Sequence, residues 1–440
     1  MGATLNTTTG SINRMAGRLE SSTRLLVLTG ALLAGILLLV RLGPQDIGWD
    51  HRVYCAALTA MDNGVDPYPV ENLRQYGGEQ LPYSYPPLAA KLFWPTCQLG
   101  EYGYVFADFG LLLLTFVLLL PRGRDRGFLL ILLVSGYLAL SWNIATGNTG
   151  ILELLLLAAL FRLIRSGRYN LPMVLIGVVG FIKIVPLAFS LGALFVDRSA
   201  PLQQRALRAL IPLATAALLF CISQALYPAF GESYFRQLSG EILNRHSAIQ
   251  ETDAGPSNAA LWPVIGRLSD MAPLPSLAQR GIGLACVSLF GGAMAALFVR
   301  LARRKRDIED ARLLSILFLV VLALLPRLKP YSYVYAIIPT WILFKDRSPL
   351  AKAVLLACIS AGPLLATGEN RISVPILNLL VGNLQFFSLA AVAWHTLIWE
   401  NSTEGQPAQA VRGRESGPHP ELIPGGGARE LDEVPALRSA

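Results

Sequence analysis

The chain has 440 residues, 53% of them hydrophobic and only 15% charged, with a mean hydropathy of +0.49; soluble globular chains carry about 25% charged residues. Apolar stretches of about 18 residues or more, the length that crosses a hydrocarbon core of ~30 Å, recur along it. A soluble enzyme, a secreted disulfide scaffold and a disordered chain are therefore excluded. The formal net charge of +8 fits Arg-rich cytoplasmic loops better than a nucleic-acid partner, and the expected class is an all-α polytopic membrane protein.

The chain opens with a basic segment, residues 1–23, expected in the cytoplasm. Apolar runs follow at roughly 24–43, 103–120, 127–142, 150–164, 171–196, 206–228, 281–302, 311–326, 331–344, 350–367 and 374–399. The first run has no small-residue cleavage site after it and is expected to stay in place. The run 171–196 is best read as two short helices that meet near Lys183 and Pro186. That break returns Arg198, Arg205 and Arg208 to the side that already holds Arg122, Arg124, Arg126, Arg162, Arg165 and Arg168. Broken helices of this kind are tolerated where the freed backbone is buried or lines a cavity.

About twelve transmembrane or half-membrane helices result, in one domain over residues 24–400, with both termini cytoplasmic and the basic short loops inside. Two long segments, about 41–100 and 229–280, face the other side. Both are too polar to cross and rich in Pro, Gly, Tyr and Trp, so they are expected to be ordered caps with short interfacial helices. The tail 401–440 is Gly/Pro/Glu-rich and expected to be disordered. The five cysteines, Cys55, Cys97, Cys221, Cys286 and Cys358, are odd in number and far apart. No disulfide is argued from them, and they are expected to act as small hydrophobes.

Few residues have the chemistry for catalysis. Asp50, in Trp49-Asp50-His51-Arg52-Val53-Tyr54, falls just past the first membrane run. A carboxylate there can serve as general base toward a hydroxyl, or can be the N-cap of a helix over 51–61. Asp66-Pro67-Tyr68-Pro69 and Tyr83-Ser84-Tyr85-Pro86-Pro87 read as rigid extended backbone, their tyrosines either interfacial anchors or a sugar-binding wall. Lys183, an ionisable group inside an apolar run, is a functional candidate by default; it either snorkels to the surface or awaits a lipid phosphate. Asp108 and Glu153 are weaker candidates of the same kind, and an acid in the first turn of a helix, as Glu153 is, is favoured there anyway.

Pro326-Arg327-Leu328-Lys329-Pro330-Tyr331 offers two cations beside tyrosines, suited to a phosphate-bearing amphiphile. In the second outer segment Asn258 is the polar candidate for acceptor contact. P-loop, Rossmann, zinc-protease and nucleophile-elbow motifs are all missing from the sequence. The four histidines are scattered, and neither a metal nor a cofactor is expected.

Several of these blocks together resemble glycosyltransferase family 87. They are the Asp50 block with Val53-Tyr54 and Ala56-Ala57, then Gly64-x-Asp66-Pro67-Tyr68, Tyr85-Pro86-Pro87-Leu88, Gly147-Asn148-Thr149-Gly150 and Lys183-Ile184-Val185-Pro186. Ser257-Asn258-Ala259-Ala260-Leu261 through Arg267 is a looser match. The resemblance spans about 24–400 and is most specific over 50–88.

It implies a GT-C fold and a mannosyltransferase of the cytoplasmic membrane. Such an enzyme takes its sugar from polyprenyl-phosphate mannose and passes it to a lipid-linked or glycan acceptor on the extracytoplasmic face. On that reading Asp50 is the base, and Lys329, Arg327 and Lys183 meet the donor phosphate. Trp49, His51, Tyr54, Asp66, Tyr68, Tyr85, Asn148, Asn258 and Tyr331 contact sugar or acceptor. A lipid transporter or flippase is the alternative class, since it too would carry broken helices and an intramembrane Lys.

Overall fold

The computed structural model describes residues 47–79, 81–100, 103–119, 125–243, 276–304, 308–325, 328–366 and 383–402, with 260, 261, 264, 265 and 268. The basic segment 1–23, the first apolar run, Arg327, Asn258 and the tail from 403 lie outside the described residues. Among those described there are helices and no strand.

In chain order the helices are α1 (Trp49–Asp62), α2 (Val70–Gln75), α3 (Pro87–Ala90), α4 (Trp94–Gln98), α5 (Gly103–Leu119), α6 (Asp125–Ser135), α7 (Ala139–Thr146), α8 (Gly150–Arg165), α9 (Asn170–Ile182), α10 (Leu202–Leu226), α11 (Pro228–Leu243), α12 (Ser276–Arg304), α13 (Asp310–Leu324), α14 (Val334–Phe344), α15 (Pro349–Ala366) and α16 (Leu384–Ser402). Short 3-10 segments at Lys91–Phe93, Gly136–Leu138, Val185–Leu194 and Pro330–Tyr333 join several of them.

Burial sorts these helices by their surroundings. All of α14 is buried, and so is most of α13, including Phe318 and Leu319; helices apolar all round belong at the centre of a bundle. In contrast α10 leaves Leu207, Leu210 and Leu218 more than half exposed, the pattern of a face turned to lipid. Three stretches among the described residues are long and apolar enough to cross a bilayer: Gly127–Thr146, Leu202–Leu226 and Gly281–Arg304. The pair Pro87–Gln98 and Gly103–Leu119, bent through 104°, meets the same length and hydropathy only when its two halves are counted together. The expected count of about twelve rests on shorter helices. α8, at 16 residues, rises only about 24 Å.

Two predicted runs are broken. The run 171–196 divides where foreseen: α9 stops at Ile182, Lys183 is extended (φ −135°, ψ 131°), and a 3-10 segment resumes at Val185. The run 127–142, expected to be continuous, is interrupted at Gly136–Leu138. There Tyr137 (φ 56°) and Leu138 (φ 48°) take left-handed backbone although they carry side chains. Such residues cost about 1–3 kcal/mol each and persist only where the surroundings fix them. Tyr137 is fully buried, its hydroxyl 3.2 Å from that of Thr340 and its carbonyl accepting from Gln385 at 2.5 Å.

One end of the bundle is a layer of ion pairs. Arg165 meets Glu309 (3.3 Å) and Arg208 meets Asp197 (2.5 Å). Asp310 accepts from the Tyr169 hydroxyl and the Asp197 amide, and Glu400 takes both Arg312 and Arg347. The other end carries the cap, where α1, α2 and the 83–90 segment share a core: Val53, Tyr54, Tyr68, Leu73, Tyr83 and Ala90 pack on Phe230 and Tyr234 of α11. The cap is docked to the bundle by the Leu88 amide, which donates to the Ser223 hydroxyl of α10 (3.0 Å), and by Ala89 against Phe181 and Ile182.

Cys55 and Cys97 form a disulfide, which corrects for these two the expectation that the cysteines act as small hydrophobes. Their separation of 42 residues gave no sequence signal, because only the fold of the cap brings α1 against α4. Closing a loop of that length is worth about 4 kcal/mol on the chain-entropy account. Replacing Cys55 with Ser is expected to lower the thermal midpoint of the detergent-solubilised protein and to make the cap the first segment cut by protease, as followed by limited proteolysis.

Candidate active site

The first turn of α1 is positioned by backbone and not by a side-chain cap. Gly48 precedes the helix in the left-handed conformation (φ 77°), and its amide donates to the Ala145 carbonyl at 2.6 Å. Asp50 is therefore inside the first turn and is not the N-cap, correcting the capping alternative. Its carboxylate meets a neighbour from the turn between α7 and α8.

That neighbour is Asn148. α7 ends at Thr146, and Gly147 (φ 69°) caps it with its amide on the Asn143 carbonyl. The tight turn places Asn148 between α1 and α8. The Asn148 amide nitrogen donates to Asp50 Oδ2 at 2.7 Å, and its carbonyl oxygen accepts from Lys183 Nζ at 2.6 Å. Lys183 also pairs with Glu153 Oε1 at 2.9 Å; its side chain is 13% exposed and that of Glu153 is fully buried. Glu153 in turn accepts from the hydroxyls of Thr149 and Tyr335. Four side chains thus run in file, Asp50, Asn148, Lys183 and Glu153, from the surface of the cap into the bundle.

Lys183 does not snorkel; it is paired with a buried carboxylate, as intramembrane charges generally are. Glu153 is likewise more than a helix-dipole residue. The clue in the sequence is that one acid and one base each interrupt an apolar run, but nothing in residue order says that the two pair.

The third wall comes from the 329–331 segment. The Asn143 amide donates to the Tyr331 carbonyl at 3.0 Å, tying the α7 end to that strand of backbone, and the Tyr331 ring lies under Lys183 Nζ, 4.6 Å from its centroid. Lys329 is close enough to act electrostatically on Asp50. Burial raises the Asp50 carboxyl above the usual carboxylate range, and Asn148, Lys183, Thr146 and Lys329 pull it back in part. Asp50 as a whole residue is half-buried.

The aromatic candidates divide into two groups. Tyr54 and Tyr68 are 2% and 4% exposed and belong to the cap core. The Tyr54 hydroxyl meets that of Tyr85 (3.1 Å), and the Tyr68 hydroxyl donates to the Tyr85 carbonyl (2.9 Å). Tyr85, half-buried and within electrostatic reach of Asp50, Tyr331 and Glu153, and Trp49, packed edge-on against Trp142 at 6.3 Å, join Tyr331 at the site.

Asp66 shapes a turn, its carboxylate accepting from the Tyr68 amide (3.1 Å). His51 is buried against Tyr104 (4.7 Å) and bonded through Nε2 to Thr96 (3.1 Å). Burial, aided by Arg52, lowers its pKa to about 4, leaving a neutral ring. The ligand atoms of His51, Cys55 and Cys97 lie within 4.8 Å of one another. With the two sulfurs bonded together they are not thiolates and cannot hold a metal.

Gly147 is the hinge of the arrangement. A Cβ there would sit 2.6 Å from His51 Cβ, on a backbone that side chains rarely adopt. Gly147→Ala is expected to destabilise the protein by about 1–3 kcal/mol, read as a lower thermal midpoint in detergent.

The sequence model of glycosyltransferase family 87 matches residues 83–326 of the chain, more than half its length and including the segments that carry Tyr85, Asn148, Glu153 and Lys183. Neither a curated protein nor a solved structure matches.

Proposed function

The chain belongs to glycosyltransferase family 87, and from that membership we propose that it is a membrane mannosyltransferase with the GT-C arrangement. Its donor is polyprenyl-phosphate mannose and its acceptor a hydroxyl of a lipid-linked or other glycan. The observation that carries the reading is Asp50, a half-buried residue of the cap whose carboxylate accepts from Asn148, which is itself bonded to Lys183, with Lys329 in electrostatic reach.

In the proposed reaction the acceptor hydroxyl gives its proton to Asp50 as its oxygen bonds to the anomeric carbon. The bond from that carbon to the phosphate oxygen breaks, the electron pair leaves on the polyprenyl phosphate, and the configuration inverts. Negative charge grows on the departing phosphate, where preorganised cations lower the barrier most. Lys329 and Arg327 are assigned that role. Lys183, already paired with Glu153, contributes its field from the Asp50 side. Trp49, Tyr85 and Tyr331 offer faces and hydroxyls to the sugar, and no cofactor is assigned.

The site is placed on the extracytoplasmic face of the cytoplasmic membrane, with the termini inside. Two features support this. A disulfide in the cap suits an oxidising compartment, and the Arg-rich layer at the far end of the bundle suits the cytoplasmic side.

The deciding assay is transfer of radiolabelled mannose from polyprenyl-phosphate mannose to membrane lipids. Asp50→Asn is expected to lose about a hundredfold or more at unchanged expression. Equal activity in both proteins would remove Asp50 from the chemistry, and no transfer by either would point to a different sugar donor.

A pH profile gives a second check. Asp50 works only when ionised, and its folded pKa is raised, so kcat/KM should fall with acidification at a pH above the ordinary carboxylate value of about 3.9. Asn148→Ala removes a group that holds the pKa down, and should move this acid limb further up.

A further inference from the structure

We propose that Glu153 is a positioning residue for the transfer reaction, anchoring Lys183 against Asn148 and thereby aiming the Asp50 carboxylate at the acceptor hydroxyl. The inference rests on the general-base reading of Asp50. It adds a residue that touches none of the reacting atoms and that no motif marks out.

The argument is one of satisfied valences. An Asn side chain can rotate its amide end for end, and only its partners decide which way it points. Asn148 donates to Asp50 because its oxygen is claimed by Lys183, a group with donors and no acceptor. Lys183 in turn stands on extended backbone at the end of α9, with a long flexible stem that nothing in its own helix fixes. Glu153 supplies that fixing: fully buried, it holds Lys183 Nζ at 2.9 Å, and is itself locked by Thr149, the residue just before α8, and by Tyr335 of α14. Removing Glu153 frees the ammonium to move toward Asp50 or a bound phosphate.

The charge consequence has a definite sign. Glu153 neutralises Lys183, so it limits how strongly that cation stabilises ionised Asp50. Taking the Glu153 charge away strengthens the attraction and makes Asp50 a weaker base. The other charged or titratable groups within electrostatic reach are Lys329, Tyr54 and Tyr85 about Asp50, and Tyr335 and Tyr85 about Glu153; all stay in place in the variants below.

The test reads Asp50 directly. The purified full-length protein is labelled with dicyclohexylcarbodiimide, which reacts with protonated carboxyls, over a pH series, and the Asp50 peptide is quantified by mass spectrometry. Glu153→Gln, which keeps the size and hydrogen-bonding shape, is expected to lower the labelling midpoint by about one pH unit. Lys183→Met is expected to raise it, and the double variant to match Lys183→Met alone because Glu153 acts through the ammonium. The acid limb of mannose transfer should shift with the midpoint, and kcat should fall several-fold with KM for the donor little changed.

If Glu153→Gln does not fold, Glu153→Asp, which draws the charge back by one methylene, should shift the midpoint the same way by less. A midpoint that moves in Lys183→Met but not in either Glu153 variant overturns the proposal, as does additive behaviour in the double variant. Retained transfer by Asp50→Asn would sink the general-base reading instead, while the labelling midpoints still report on Glu153.

Discussion

One amide holds the site together. Asn148 is a donor at one end and an acceptor at the other, and it uses both, on Asp50 of the cap and Lys183 of the bundle. Neither charge could approach the other across that gap without leaving polar groups unmatched in a dry setting, where an unmade hydrogen bond costs about 1–3 kcal/mol. Much of the surrounding architecture makes sense as support for that bridge. Gly48 and Gly147 bring two chain segments to within backbone hydrogen-bonding distance, Asn143 ties the same turn to Tyr331, and the disulfide fixes α1 from its far side.

The polar file is embedded in an apolar bundle, and the two have different requirements. Core packing around α13 and α14 needs only shape and hydrophobicity, and tolerates substitution of similar volume. The file needs every member, since a buried carboxylate or ammonium left alone is far more costly than a pair. The break at Gly136–Leu138 belongs to the second class. Its left-handed Tyr137 and Leu138 redirect the chain into α7, whose end forms the Asn148 turn, so local strain and site geometry are linked.

Much of the architecture can be read from residue order. The apolar runs mark the helices, and the division at Lys183 follows from a charged residue three positions before a proline. The family resemblance also lies in short blocks of sequence. What could not be read are relations across the chain. Cys55 and Cys97 had no spacing motif, and Asp50 read as a cap because the left-handed state of Gly48 is set by the contact with Ala145. Tyr54 and Tyr68 looked like a sugar wall because an aromatic in a cap core and one in a cleft have the same local sequence. Glu153 and Lys183 were each visible as anomalies, but their pairing depends on how α8 and α9 face one another.

The order in which the site's parts occur along the chain bears on biogenesis. Asp50 emerges from the ribosome first, its bridging amide about a hundred residues later, then Lys183, and the Lys329–Tyr331 wall near the end. A nascent or truncated chain therefore displays the carboxylate without the groups that orient it, and competence arrives only when the late helices have inserted and closed against the early ones.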